Sequence, residues 1–364
     1  MNVERLGEIV GVLLEAEGNF KIQKLLNELK TSLDNVTSSP QEANLQQDYA
    51  NKLADLKVGF GRMIYEFKPA EVELMTEIGA KELFVSDLGT EIAELVRENP
   101  VSPSVARDFV AELVKRRSQY ISQMEALKTI LENLNVGPEE DDPGSAQVGV
   151  TIPRDLFDNS LDGLIGQLDK FRRLARIFSE VSTGEAPIIE VRQISTTDPL
   201  FFFGMAVSTV LALSRSMSWA LDQWLKIEKI RKLRAETSQL ESFSEDELKF
   251  FDDKIDTIIE EAVATKVTES MEERTVPAGA RAMPELENQL SWAYKTVFAL
   301  VERGLKMEIR FLPPVTEEGE DEEREIPQEY QDLSDVSRTL IFPKVEGRPT
   351  YEIPAPPPEN PNGS

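Results

Sequence analysis

Carboxylates and basic side chains are the chemistry this chain has to offer. Asp252, Asp256 and Glu260 stand at i, i+4 and i+8, three carboxylates on one stripe of an expected helix, and oxygen ligands are what Mg²⁺ or Ca²⁺ takes. A straight stripe spreads them over about 12 Å, at about 6 Å per step. A metal site or a two-carboxylate hydrolase needs acids that converge on one point. The stripe therefore reads as a solvated face, and a carboxylate–Mg²⁺ enzyme or ligand-binding protein is the alternative, which needs acids from a second element. Upstream, Trp224, Lys226, Lys229, Arg231, Lys232 and Arg234 form a basic run among apolar residues at helical spacing. These are the expected partner-binding residues, read as docking another protein or a second copy of the chain; the competing reading pairs them with the acids of the helix that follows.

Other chemistries are closed. The 364 residues include no cysteine and no histidine, which removes disulfides, thiolate nucleophiles, Ser-His-Asp triads and the commonest metal ligands. Gly-x-x-x-x-Gly-Lys-[ST], Gly-x-Gly-x-x-Gly and Gly-x-Ser-x-Gly are absent, so no P-loop, dinucleotide fingerprint or nucleophile elbow is present. Lys170, Arg172, Arg173 and Arg176 make a small basic face that reads as covering apolar surface or pairing with acids. No cofactor is expected, and the reading leans away from an enzyme.

These residues need elements to hold them. Residues 1–136 read as a helical bundle, with Leu6, Ile9, Val10, Leu13 and Leu14 on one face and Ser39-Pro40 and Ser102-Pro103 as helix starts. Residues 137–147 are an acidic, Pro/Gly-rich linker. Residues 148–312 read as an α+β domain. Its three short strands are expected at 148–152, 187–195 and 306–312, and a long projecting antiparallel helical hairpin at about 198–270. One arm of that hairpin opens at Pro199 and exceeds 60 Å on this reading, at about 1.5 Å per residue. The fold class is thus mainly α: a bundle, an α+β unit and a tail.

Residues 313–364 carry thirteen acids and four bases, −9 of the net −26. They read as a disordered, acidic, Pro-rich tail, apart from a short helix around Tyr330–Leu340. Within it, Ala355–Pro358 offers a polyproline ligand to a partner, and Ser337–Pro343 an apolar docking motif.

Pro199–Ser214 is the longest charge-free apolar stretch, shorter than the about 18 to 20 residues of a membrane span. It reads as buried, with peripheral membrane contact through 199–214 as a second alternative. The N-terminal residues lack the basic segment of a secretion leader and read as the first amphipathic helix. With 66 acids against 40 bases, nucleic acid is not an expected partner. The expected function is a cytoplasmic, non-catalytic interaction or scaffold protein acting through the helical hairpin. An accessory part of a bacterial multi-protein system suits it on analogy alone.

Overall fold

The computed structural model describes residues 3–99, 102–135, 143–195, 199–238, 245–274, 283–314, 326–345, 349 and 351–357, with the side chains of 233–238 and 245–253 outside the description. The protein is mainly α-helical with one small antiparallel sheet. It divides into two compact units, Met1–Glu140 and Asp141–Ser364.

The first unit is all helix: α1 (Val3–Phe20), α2 (Ile22–Ser38), α3 (Ala43–Glu66), α4 (Pro69–Glu77), α5 (Lys81–Phe84), α6 (Leu88–Glu98) and α7 (Pro103–Asn133). Apolar residues three and four apart meet in one core, with Leu13, Leu26, Leu29, Leu56, Phe60 and Val110 buried in it. Ser102-Pro103 opens α7 as expected. Ser39-Pro40 does not open α3; the Ser39 N–H donates to Asn35 O at 2.9 Å and closes α2 instead. Lys21 sits at φ 53° between α1 and α2, a single left-handed residue that ends one helix and starts the next.

A buried ion pair ties this unit together. Arg117, on α7, is fully buried. Its Nη1 donates to Glu17 Oε2 at 2.7 Å, its Nε donates to Leu83 O at 3.1 Å, and its guanidinium lies 4.4 Å from the Phe84 ring centroid. The other Glu17 oxygen, Oε1, accepts from the Gln23 N–H at 2.8 Å, one of the first-turn donors of α2 that lacks a helical partner. One carboxylate thus caps α2 and neutralises a cation that joins α1, α5 and α7.

The second unit is built on β1 (Ser145–Thr151), α8 (Leu161–Ser182), β2 (Glu190–Ser195), β3 (Leu200–Met205), α9 (Val207–Ser238), α10 (Glu245–Glu272), α11 (Met283–Val301), β4 (Lys306–Leu312) and α12 (Gln328–Thr339). The four strands lie in the order β2-β3-β1-β4, every pair antiparallel, and Val148 of β1 pairs with Phe203 on one side and Ile309 on the other. Ala146, Val148, Val150, Phe201, Phe203, Met205, Met307 and Ile309 point into the helical layer. On the opposite face Phe202 is 1% exposed, its ring lying beneath the Arg310 guanidinium at 3.7 Å and so close over Gly149 that a Cβ there would come within 2.6 Å of it.

The sheet corrects the expected count of three strands to four. Leu200–Met205, expected as the start of a very long helix, is β3, and the helix begins only at Val207. The segment is buried on both faces, so it shows no alternation to separate strand from buried helix; its three successive phenylalanines are the residues that favour a strand. The helix is shortened to about 48 Å at 1.5 Å per residue. The expected hairpin arms are both present as α9 and α10, yet each packs more extensively on α11 than on the other. Residues 239–244, which join them, lie outside the described residues.

The C-terminal segment also departs from a disordered tail. The expected helix is present as α12, which packs on α9 with Leu333 buried. Beyond it, Leu340 and Tyr351 are buried in the same core. Residues 351–357 form a strap against α11 and α8 rather than a free ligand. The acidic run 317–325 lies outside the described residues.

Candidate functional site

The expected partner-binding residues of α9 are divided by the helix between two faces. Trp224 and Ile227 are buried at 6% and 1% exposure and anchor α9 to the core. Arg231 is half-buried; its Nη2 donates to Glu302 Oε1 at 2.5 Å, and its Nη1 lies 3.6 Å from Glu228. Of the expected partner-binding residues, Trp224 is thus taken up by the core and Arg231 by contacts within the unit. Lys226, Lys229 and Lys232 point outward and are exposed, as is Leu225 beside them. Lys226 reaches Gln223 Oε1 at 3.5 Å, and none of the three lysines meets a carboxylate among the described residues. The side chain of Arg234 lies outside the described residues.

Two carboxylates hold the strap. Glu302, 1% exposed just past the end of α11, accepts from Arg231 through Oε1 and from the Tyr351 N–H through Oε2 at 3.0 Å. Glu260, on α10, accepts from the Tyr351 hydroxyl at 2.9 Å and pairs with Lys295 at 2.6 Å. The Tyr351 ring stands edge-on to Phe298, centroids 5.7 Å apart. One tyrosine therefore links the strap to α10, to α11 and, through Glu302 and Arg231, to α9.

This arrangement makes strap docking sensitive to acid. Burial alone raises the Glu260 carboxyl, but the hydrogen bonds from Lys295 and Tyr351 and the Lys295 charge outweigh it and hold the group below its usual value. A carboxyl depressed in the folded state contributes stability above its unfolded value of about 4.3, which is lost as pH falls through the folded value. Amide exchange across residues 351–357 is expected to accelerate, relative to the core of the same unit, as pH drops below about 4.3. The Tyr351→Phe variant should show a smaller change, because it lacks the hydroxyl that Glu260 accepts.

The carboxylate stripe is engaged in other contacts as far as it is described. Glu260 is engaged by Lys295 and Tyr351, Asp256 has its own interactions, and the Asp252 side chain lies outside the described residues. Among the described residues no group of three or more acids is placed to hold a metal ion. Nor does any helix among them have the length and apolarity to cross a membrane. The three arginines of the basic face of α8 pair with acids: Arg172 and Arg173 both donate to Asp169 at 2.8 Å, and Arg176 donates to Glu180 at 3.0 Å, whereas Lys170 reaches Gln167 at 3.4 Å.

An open cleft of about 470 Å³ lies at one end of the sheet, between Ser145, Thr183, Glu190 and Arg192. Arg192 pairs with Glu190 at 2.7 Å, and the hydroxyl of Ser179 on the same wall donates to Glu185 O at 2.9 Å.

Several organising residues escape a sequence reading: Glu302, Tyr351 and Trp292. Trp292 donates through Nε1 to Pro354 O at 3.1 Å and is 5% exposed. The signal for the strap is the alternation of Tyr351 and Ile353 within a proline-rich stretch, the pattern of an extended segment with one apolar face. No protein-family model, curated protein or solved structure matches the chain.

Proposed function

We propose that the protein is a non-catalytic, cytoplasmic interaction protein of the adaptor or scaffold kind, which offers the outer face of α9 to an acidic surface on a partner protein. The observation that carries this reading is the lysine row. In a chain of net charge −26, Lys226, Lys229 and Lys232 recur every three residues, exposed and without a carboxylate among the described residues. The opposite face of the helix is fixed by Trp224, Ile227 and the Arg231–Glu302 pair, so the lysines ride on a rigid element. Exposed Leu225, at 45%, gives the row an apolar contact. Charges at such a rim set encounter rate and partner choice more than raw affinity, and they make binding salt-dependent.

The test is the full chain carrying Lys226→Glu, Lys229→Glu and Lys232→Glu together. Surface changes of this kind are expected to alter stability by no more than about 0.5 kcal/mol each. Quantitative affinity purification beside the parent protein should show specific partners lost from the variant and released from the parent by raised salt. An unchanged partner set on a variant with an unchanged melting temperature would show that α9 is not the docking face.

A further inference from the structure

A second surface, separate from the lysine row, is already filled by the chain itself. The segment Pro354–Pro357 runs over α8 and α11. Prolines fix φ near −65°, and a residue that precedes proline, here Ala355, is driven toward extended backbone, so the segment is an extended, polyproline-like strand. Trp292 lies against it and donates its indole N–H to Pro354 O at 3.1 Å. An aromatic side chain giving a hydrogen bond to a proline-strand carbonyl is how polyproline ligands are read, because such strands make no internal hydrogen bonds and keep their carbonyls open.

Next to this contact, Trp292 and Gln289 of α11, Arg173, Arg176 and Ile177 of α8, and Pro356 and Pro357 line a crevice of about 20 Å³, room for about one water molecule. Gln289 is 6% exposed, and its buried Oε1 has no hydrogen-bond partner. The strap brings it none: Pro356 and Pro357, the two strap residues that line the crevice, carry no N–H. The strap thus meets the tryptophan of the groove and offers no backbone donor from Pro356 or Pro357 to its glutamine.

We propose that the Trp292–Gln289 groove is a binding site for a proline-rich segment of another protein, closed in cis by residues 351–357. The fitting ligand is an extended proline strand that offers a carbonyl to Trp292 and, unlike the strap, an N–H to Gln289. Tyr351 is the latch, since its anchors at Glu302, Glu260 and Phe298 lie outside the groove and set how often the strap leaves.

The probe is a fluorescein-labelled peptide with the sequence of residues 351–357, titrated by anisotropy against the full chain. Affinity for an occupied site falls by the fraction of time it is open. Tyr351→Ala is thus expected to bind the peptide at least about tenfold more tightly than the parent. Tyr351→Phe, which keeps the ring on Phe298, should fall between and serves if the alanine variant does not fold. Adding Trp292→Phe, which removes the indole N–H, should return binding to parent level or below. Peptides with alanine in place of the residue at position 356 or 357 gain an N–H. For at least one of them, the affinity relative to the parent peptide should be roughly three- to tenfold better on Gln289 than on Gln289→Met protein.

The proposal is overturned if the peptide binds neither Tyr351 variant while both unfold cooperatively, or if Trp292→Phe leaves its affinity unchanged. It is also overturned if light scattering shows the parent as a dimer that the peptide dissolves, since the groove would then serve self-association. The lysine-to-glutamate variant should bind the peptide like the parent, which keeps the failure of either reading distinguishable from the failure of the other.

Discussion

Replacing Glu17 with alanine is expected to destabilise the N-terminal unit by about 3–5 kcal/mol, the cost of leaving a buried charge without its partner. Arg117 is fully buried, and burial pushes its guanidinium down from its usual value while the Glu17 charge and hydrogen bond work against that shift. An arginine stays protonated under any ordinary condition, so the substitution strands a cation in the core instead of neutralising it. It also removes the acceptor of the Gln23 N–H at the start of α2. Arg117→Met should cost less, because it removes the charge together with its need for a partner and keeps an apolar chain against Phe84. The double variant Glu17→Ala/Arg117→Met should be more stable than the sum of the single changes implies, by at least 1 kcal/mol on the scale of directly contacting pairs. Urea unfolding followed by circular dichroism reads all three; additive losses would mean that the pair is not coupled.

Glu302→Ala is the second large effect, about 3 kcal/mol in the C-terminal unit. The carboxylate is 1% exposed and accepts from both Arg231 and the Tyr351 N–H. Its loss leaves a backbone donor buried without a partner and takes the nearer carboxylate from a half-buried guanidinium, Glu228 remaining 3.6 Å away. The loss should be smaller than for Glu17 because Arg231 retains that neighbour and some solvent. Glu302→Gln keeps an acceptor for the Tyr351 N–H and should recover about half of the lost stability. The two effects of the alanine change are separable: calorimetry reports the stability, and amide exchange over 351–357 reports the strap. A destabilised unit with a fully protected strap would show that Glu302 does not hold it.

The helices of both units were legible because their apolar residues recur at three and four, and in α7 even the buried arginine was within reach. Arg117 falls on the stripe of Ala106, Val110 and Leu113, where a charged residue demands a buried partner. Which acid answers it is a matter of three-dimensional packing, and Glu17 is a hundred residues away. β3 was hidden by its own burial: with both faces covered, Leu200–Met205 has no polar side to betray a period of two. On α9, periodicity shows that Trp224 and Lys226 point differently, yet it does not say which direction is inward until α8, α11 and α12 are placed. The strap was concealed by composition, since its prolines and acids resemble those of a solvated tail, while Tyr351 and Ile353 supply apolar contacts to the core.

The position of β1 carries a consequence for synthesis. Its neighbours in the sheet are β3 and β4, and Val148 meets Ile309 only after α8, β2, β3, α9, α10 and α11 have all been made. The N-terminal unit is helical in its described residues and is complete long before, so it is free to fold while the ribosome is still elongating. Until β4 emerges, β1 has an unpaired edge and the half-built sheet exposes its phenylalanines, which is the state in which nascent chains stick to one another. The nascent second unit thus spends its longest wait for a missing strand in the interval between the translation of β3 and that of β4.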